Sequence, residues 1–393
     1  MKELNDYKII NADGAAKKLC NNEGKISFSN DKPDFITFSS CRFNYYCKFG
    51  MKAEPTEPAG FHPPEIGTFT HYVLEKTALR VKELGGFAAV TDEQLREITK
   101  EQITRYIDEE LGGFAEKSAR FRWLFERLCA DVYRIVQDTA DELRSSDFEP
   151  LSFELDVSKL RLQPDCGEPG TVRLTGIADR VDGFTDEDGL HLRVVDYKTG
   201  HKQFQLSDVL YGRNLQMLLY LFSVCDNAEE LYGRPAKPAG IEYLPAREGM
   251  LSFKHQPDSA EEADERKKEK RRSGLMLSDT AVLDAWEHGE EKRYMPQKSR
   301  TKDPCVTWEQ LGVLRRQAEN CLKEMAETVA SGRIEANPIW QSESDNACRT
   351  CPYRTICRFE EGEKGERSRM MHNLPDDEVW KLLGIQQGED AAP

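Results

Sequence analysis

The stretch VVDYKTG, residues 194–200, constrains this chain more than any other feature. Counting back from Lys198, every second residue is Asp196, Val194, Leu192 and Leu190, which share one face of an extended strand. Tyr197, Val195, Arg193 and His191 occupy the other. The segment therefore reads as a strand covered on both sides, with two opposite charges at the end of an apolar run. Left unpaired, each charge would cost roughly several kcal/mol to desolvate. An ion pair closing a sheet end is one account of them; a catalytic site is the other.

Upstream, LTGIADRVDGF (174–184) reads as a second strand, and the turn-rich DGFTDEDG joins the two as an antiparallel hairpin. Asp179 is then carried toward Asp196. Two ionised carboxylates repel by about 4 kcal/mol at about 4 Å in an effective dielectric near 20. A divalent cation between them removes that repulsion, and two oxygen ligands beside a lysine suit Mg²⁺ or Mn²⁺. Such an ion acidifies water and neutralises phosphate charge, with Lys198 as a second cation. This is the donor set of a hydrolytic phosphodiesterase.

GIADRVDG followed by VVDYKTG resembles the RecB-like branch of the PD-(D/E)XK nuclease superfamily, whose pattern is G-x-x-D-R-x-D, a hairpin, then D-Y-K-[ST]. The resemblance implies an α/β fold with a restriction-endonuclease-like core, a mixed central sheet flanked by helices, and helical insertions. It further implies Asp179 and Asp196 as metal ligands, Lys198 as catalytic, and the Tyr197 carbonyl as a further contact to the ion. LQMLLY supplies Gln216 and Tyr220, matching the family's Q-x-x-x-Y, and four-residue spacing puts both on one helix face. EIGTFTHYVLE (65–75) is similar to the family's first helix, in which His71 would be a metal ligand.

Eleven cysteines, an odd number, with no signal peptide, argue against a disulfide framework and for a reducing, cytoplasmic setting. CRTCPYRTIC holds Cys348, Cys351 and Cys357 at C-x2-C-x5-C spacing, three of the four thiolates that a zinc site or an iron–sulfur cubane requires. The fourth must come from elsewhere, with Cys41, Cys47 and Cys305 as candidates. Here FSSCRFNYYCKFGMKAEP, ahead of the His71 helix, resembles the opening of AddB-type nuclease domains, which belong to ATP-dependent helicase–nucleases. That resemblance selects Cys41, reads Cys47 as an ordinary thiol, and implies a [4Fe-4S] cluster on Cys41, Cys348, Cys351 and Cys357, with zinc as the alternative. Cys41 and Cys348 are 307 residues apart, so the cluster would join the two ends of the domain. Cross-linking a loop of about 100 residues stabilises by roughly 4–5 kcal/mol in the chain-entropy view, so structural stapling is the simplest role.

A length of 393 residues allows two domains, but cysteines meeting across most of the chain argue for one wrapped unit. The organisation expected is a polar lead at 1–37, a nuclease domain at 38–360 and a charged tail at 361–393, with a short helix at DDEVWKLLG. Thr91 and Gln94 form a capping-box pattern. An amphipathic helix is predicted over about 116–145, its apolar stripe being Phe121, Leu124, Phe125, Leu128, Val132 and Ile135. A helix is also expected over about 307–331. The apolar run at LQMLLYLFSVC is too short to cross a bilayer.

The net charge of −15 places any nucleic-acid contact in a local patch, for which ERKKEKRR (265–272) is one candidate and a solvated helix face the plainer explanation. The chain contains no G-x-x-x-x-G-K-[ST] phosphate loop, so ATP-driven unwinding is not assigned to it. The resemblance implies a metal-dependent nuclease on single-stranded DNA, working beside a helicase subunit in double-strand break repair. Two alternatives stand beside it: a self-sufficient RecB-like exonuclease similar to the CRISPR-associated enzymes, and a non-catalytic DNA-binding module folded by its cluster.

Overall fold

The computed structural model describes residues 26–28, 34–53, 63–114, 117–161, 172–198, 203–246, 258–363 and 366–385. Most of the lead segment, Cys20, Cys166, Thr199, Gly200 and the last eight residues lie outside them.

The sheet follows from the hairpin read in the sequence. Strands β1 (Glu149–Asp156), β2 (Ile177–Asp186), β3 (Gly189–Lys198), β4 (Ala236–Pro245), β5 (Ser273–Leu277) and β6 (Cys305–Val306) are hydrogen-bonded in that order. The first three pair antiparallel, β3 and β4 pair parallel, β4 and β5 antiparallel, and β5 and β6 parallel, so the sheet is mixed. Alternation along β3 sorts its residues as expected: Leu190, Leu192 and Val194 enter one core, Val195 and Tyr197 the other.

Helices cover both faces. On the Tyr197 face lie α1 (Pro63–Glu83), α2 (Asp92–Glu109) and α3 (Ala119–Arg144). The opposite face carries α4 (Gln216–Asp226) and the later α6 (Trp308–Ala330). The Thr91–Gln94 capping box forms, Thr307 and Gln310 make a second at the start of α6, and Ser118 caps α3. These caps satisfy amide groups that the first helical turn leaves without partners. Within α3, Phe125, Val132 and Ile135 are buried, but Leu124 is 37% exposed. Phe69, Phe114 and Phe121 gather around Phe125, and position 124, about 100° further round the helix, turns away from them.

Past Cys357 the described residues, 358–363 and 366–385, pack onto the rest of the fold, and the chain end expected to be disordered lies outside them. Arg369 and Met370 pair in parallel with Ile339 and Trp340, and the helix Asp376–Leu382 buries Val379 and Trp380 in the α4–α6 core. Among the described residues, no helix is long and apolar enough to cross a membrane.

Two glycines decide how β4 and β5 fit, Gly274, where a Cβ would sit 1.9 Å from the Ile241 carbonyl oxygen, and Gly240. The β3–β4 register shifts between Leu192 and Arg193, so β4 bulges ahead of Gly240, whose φ is +157°. A Cβ there would sit 2.1 Å from the Leu275 carbonyl oxygen of β5. Gly240→Ala is expected to destabilise the fold by about 2 kcal/mol or more, through forced strand separation. Thermal unfolding reads this as a fall in Tm of several degrees; an unchanged Tm would show that the strands part freely.

Candidate active site

Register alone brings the carboxylates together. Arg180 pairs with Val195 and Val181 with Val194, so the same register places Asp179 opposite Asp196. Both are buried. The Tyr197 N–H donates to Asp179 Oδ2 at 2.7 Å. Lys198 Nζ lies 2.7 Å from Asp196 Oδ2. Burial raises the Asp179 carboxyl and the Asp196 charge raises it further, to about 7. Burial alone would lower Lys198, but Asp196 outweighs it and the ammonium is held above its ordinary range. The lysine is therefore a fixed cation at neutral pH.

Helix α1 crosses the ends of these strands and delivers His71. Its Nε2 lies 3.3 Å from the Tyr197 carbonyl oxygen, and its Nδ1 lies 3.5 Å from Asp179 Oδ1. A residue that the sequence reading missed completes the group: Glu154 Oε1 is 3.6 Å from His71 Nδ1. Ligand atoms of His71, Glu154 and Asp179 all lie within 4.8 Å of one another. Burial by itself would lower His71, but the neighbouring Glu154 carboxylate and the charges of Asp179 and Asp196 lift it to about 9.

Glu154 is in β1, where Phe153 pairs with Arg180 and Leu155 with Ala178, so it faces Asp179 across the strands. Its φ of +45° puts a non-glycine residue in the left-handed region, at a cost of roughly 1–3 kcal/mol. A like charge directly opposite Asp179 is a signal in principle. It becomes visible only once the β1–β2 register is known, because β1 and β2 are separated by a long connection.

Beneath the site, the Tyr197 side chain is gripped from behind. Arg180 Nη1 reaches the Tyr197 hydroxyl at 3.4 Å, and its guanidinium lies over the ring. Arg180 also forks onto Asp182 at 2.8 and 3.0 Å. Asp182 accepts from Arg193 at 2.9 Å, and Glu142 of α3 accepts from Arg180, Arg193 and Arg272. Burial would raise Glu142, but Arg272, Arg180 and Arg193 hold it down at about 2. Helix α4 packs on β3 and β4, and within it Gln216 Nε2 donates to the Tyr220 hydroxyl at 3.2 Å. That contact unites the two residues of the Q-x-x-x-Y pattern.

Cys41, Cys348, Cys351 and Cys357 line a single cavity of about 700 Å³. Cys47 is buried beside them without lining it; burial and the neighbouring Cys357, Cys351 and Cys41 push its thiol up to about 12. Cys305 is in β6, apart from this group. Among the described residues, no three cysteine sulfurs lie within 4.8 Å of one another. Around the cavity the two ends of the chain are joined directly. The Tyr353 hydroxyl donates to the Ala53 carbonyl at 2.6 Å, the Arg42 N–H to Asn337 Oδ1 at 2.9 Å, and Arg369 to the carbonyls of Ser39 and Asn337.

A mixed sheet flanked by helices, with an aspartate pair, a lysine and a histidine at one strand end, is the architecture of a PD-(D/E)XK nuclease. The chain matches the profile of the PD-(D/E)XK nuclease superfamily over residues 34–358 and belongs to that superfamily. It is also similar to curated proteins named as the B component of an ATP-dependent helicase/deoxyribonuclease. Identity is 30% with the protein from Ruminiclostridium cellulolyticum, covering 88% of this chain and 31% of the relative. It is 30% with that from Clostridium novyi (90% and 32%) and 28% with that from Thermoanaerobacter sp. strain X514 (95% and 33%). The chain thus spans about a third of the length of the relatives it matches.

The charges at this site make cation binding a proton-coupled event. A cation taken up by this group displaces the His71 proton below about pH 9 and the Asp179 proton below about pH 7. Mn²⁺ affinity should therefore rise with pH, by roughly tenfold per unit between 7 and 9 and more steeply below 7. Glu154→Gln removes the main support of the His71 charge, so its imidazole pKa should fall and its affinity profile flatten. Calorimetric Mn²⁺ titrations with NMR of the His71 ring check both; equal slopes in the two proteins would remove Glu154 from the group.

Proposed function

We propose that this chain is a divalent-metal-dependent deoxyribonuclease that hydrolyses phosphodiester bonds of single-stranded DNA beside a helicase partner. The observation that carries this reading is the meeting of Asp179, Asp196, Lys198 and His71 at one sheet end, two buried carboxylates held in mutual repulsion. Asp179, Asp196, His71 and the Tyr197 carbonyl would hold Mg²⁺ or Mn²⁺, with Glu154 as an added ligand. The ion, when bound, supplies Lewis acidity and water activation.

The chain's own residues do the rest. Asp179 is pinned through one oxygen by the Tyr197 N–H, which leaves Oδ1 directed toward the ligand group. Lys198 is a permanent cation beside Asp196, placed to orient the attacking water and to offset charge on the phosphate as it becomes pentacovalent. Gln216 and Tyr220 are counted as catalytic residues on the strength of the family's Q-x-x-x-Y pattern. The names of the relatives support a deoxyribonuclease and a helicase partner, and the single-strand preference and a role in break repair rest on the resemblance in the motifs as part of this proposal. The nuclease unit is taken as 38–360, and a cytoplasmic setting rests on the cysteine usage.

The second metal reading concerns the cysteines. We infer that Cys41, Cys348, Cys351 and Cys357 hold a [4Fe-4S] cluster that staples the ends of the domain. All four line one cavity, and three of them come from a single short segment. Burial, Cys41 and Cys351 raise the Cys348 thiol to about 11, so this thiol resists becoming a thiolate without a cation to receive it. A tetrahedral zinc site on the same four thiolates is the alternative, since the cysteine spacing suits either.

Nuclease activity on end-labelled single-stranded DNA, with Mg²⁺ or EDTA and anaerobically purified protein, tests the first reading. Asp196→Ala should abolish cleavage with the fold intact, and Lys198→Ala should lower turnover by about 10²–10³ while Mn²⁺ still binds. Retained Mg²⁺-dependent cleavage in Asp196→Ala would sink the site. For the cluster, Cys41→Ser should lose bound iron and visible absorbance and lower Tm, whereas Cys47→Ser should keep them. The reverse pattern would put the fourth ligand at Cys47.

A further inference from the structure

The basic run at 265–272 has no part in the metal group, yet the fold brings it beside that group. The end of α5 (Ser259–Glu269) and the residues to Arg272 form one wall of a cavity of about 650 Å³. The loop 296–304 and the C-terminal ends of β3 and β4, with Lys198, complete its lining. Lys198, Lys268, Arg271, Arg272, Lys298 and Lys302 line it against four acidic side chains, on a chain whose net charge is −15.

Those acidic groups are already engaged. Glu265 meets Lys268 at 3.0 Å, Glu269 meets Arg266 at 3.1 Å and Asp303 meets Lys298 at 2.6 Å. Asp376 Oδ2 accepts the Asp303 N–H at 2.8 Å. Arg272 is committed to Glu142 and Lys198 to Asp196. Arg271 and Lys302 differ: among the described residues their side chains make no hydrogen bond or close ion pair, and their charges act only at longer range, on Asp264 and Asp376. Lys302 is also placed by a turn, in which its carbonyl accepts the Ser299 N–H at 2.8 Å. Two cations without a close carboxylate partner, lining one groove together with the reactive lysine, match a chain of phosphates.

We propose that this groove conducts the sugar–phosphate backbone of a nucleic-acid strand to Lys198, with Arg271 and Lys302 as phosphate contacts. The proposal rests on the nuclease reading, but its test does not need turnover. Binding of a labelled single-stranded 15-mer is measured by fluorescence anisotropy in EDTA, across a salt series, for wild type, Arg271→Gln, Lys302→Gln and the double variant. Hydrolysis of bis(p-nitrophenyl) phosphate, too small to need the groove, is followed in parallel with Mn²⁺.

The double variant should bind at least tenfold more weakly at about 0.1 M salt, with its log–log salt slope reduced by about 1.4, and each single variant by about 0.7. Its rate on the small diester should equal that of wild type. Unchanged oligonucleotide affinity and slope would overturn the groove, and so would wild-type protein that binds polyglutamate as well as DNA. A wild type that binds the strand through these residues yet cleaves neither substrate would instead overturn the nuclease reading and leave the groove standing.

Discussion

Three arginines and three carboxylates, all buried, set the register on which everything else depends. Arg180, Arg193 and Arg272 interlock with Glu142, Asp182 and Glu242, and the set joins α3 to β2, β3, β4 and the entry to β5. Trp286 completes it, its indole N–H donating to Glu242 at 3.0 Å and its ring lying beneath the Arg193 guanidinium. Burial and the nearby Glu142 raise the Glu242 carboxyl to about 7, while Glu142 stays ionised against three guanidinium groups. Removing one partner from such a set leaves a buried charge uncompensated, at a cost of roughly 3–5 kcal/mol. A slip of one residue in the hairpin would turn Arg180, Asp182 and Arg193 to the wrong face and is excluded on the same ground.

That alternation divides the labour of two strands. On β2 and β3, Arg180, Asp182, Arg193 and Tyr197 face the α1–α3 side and fix position; Asp179 and Asp196 face the other way and carry the charges of the site. Tyr197 connects the two sides. Its side chain is held by Arg180, while its N–H holds Asp179 and its carbonyl faces His71. The geometry of the metal group is thus set from behind the sheet, by groups that never reach it.

Much of this was legible. The hairpin, the two-sided burial of β3, the capping box at Thr91 and the helices α3 and α6 all come from local periodicity and turn chemistry, which neighbouring residues specify among themselves. Leu124 was misplaced because helical spacing locates a stripe but not its edge, and the aromatic group around Phe125 decides which flank is covered. Glu154 went unread because its meaning depends on a pairing across the separate strand β2. The run 265–272 reads as a solvated helix face, and for Lys267, paired with Glu291, it is one. Its last residues instead turn into a groove formed by the 296–304 loop, which no pattern in the run itself discloses.

The sequence by itself determined the two-charge strand end, the partner strand carrying Asp179, and three of the cysteines, because each lies within a short segment whose spacing dictates its geometry. The motif resemblance named His71 and Cys41, and tertiary structure decided the rest: that Glu154 joins His71 and Asp179, that Cys41 lines one cavity with Cys348, Cys351 and Cys357, and that cations at 271 and 302 share one groove with Lys198. Those relations span tens to hundreds of residues. They exist only once the buried charges and apolar faces have fixed how the layers stack, since contact between distant segments is a property of the packed whole and of no local pattern.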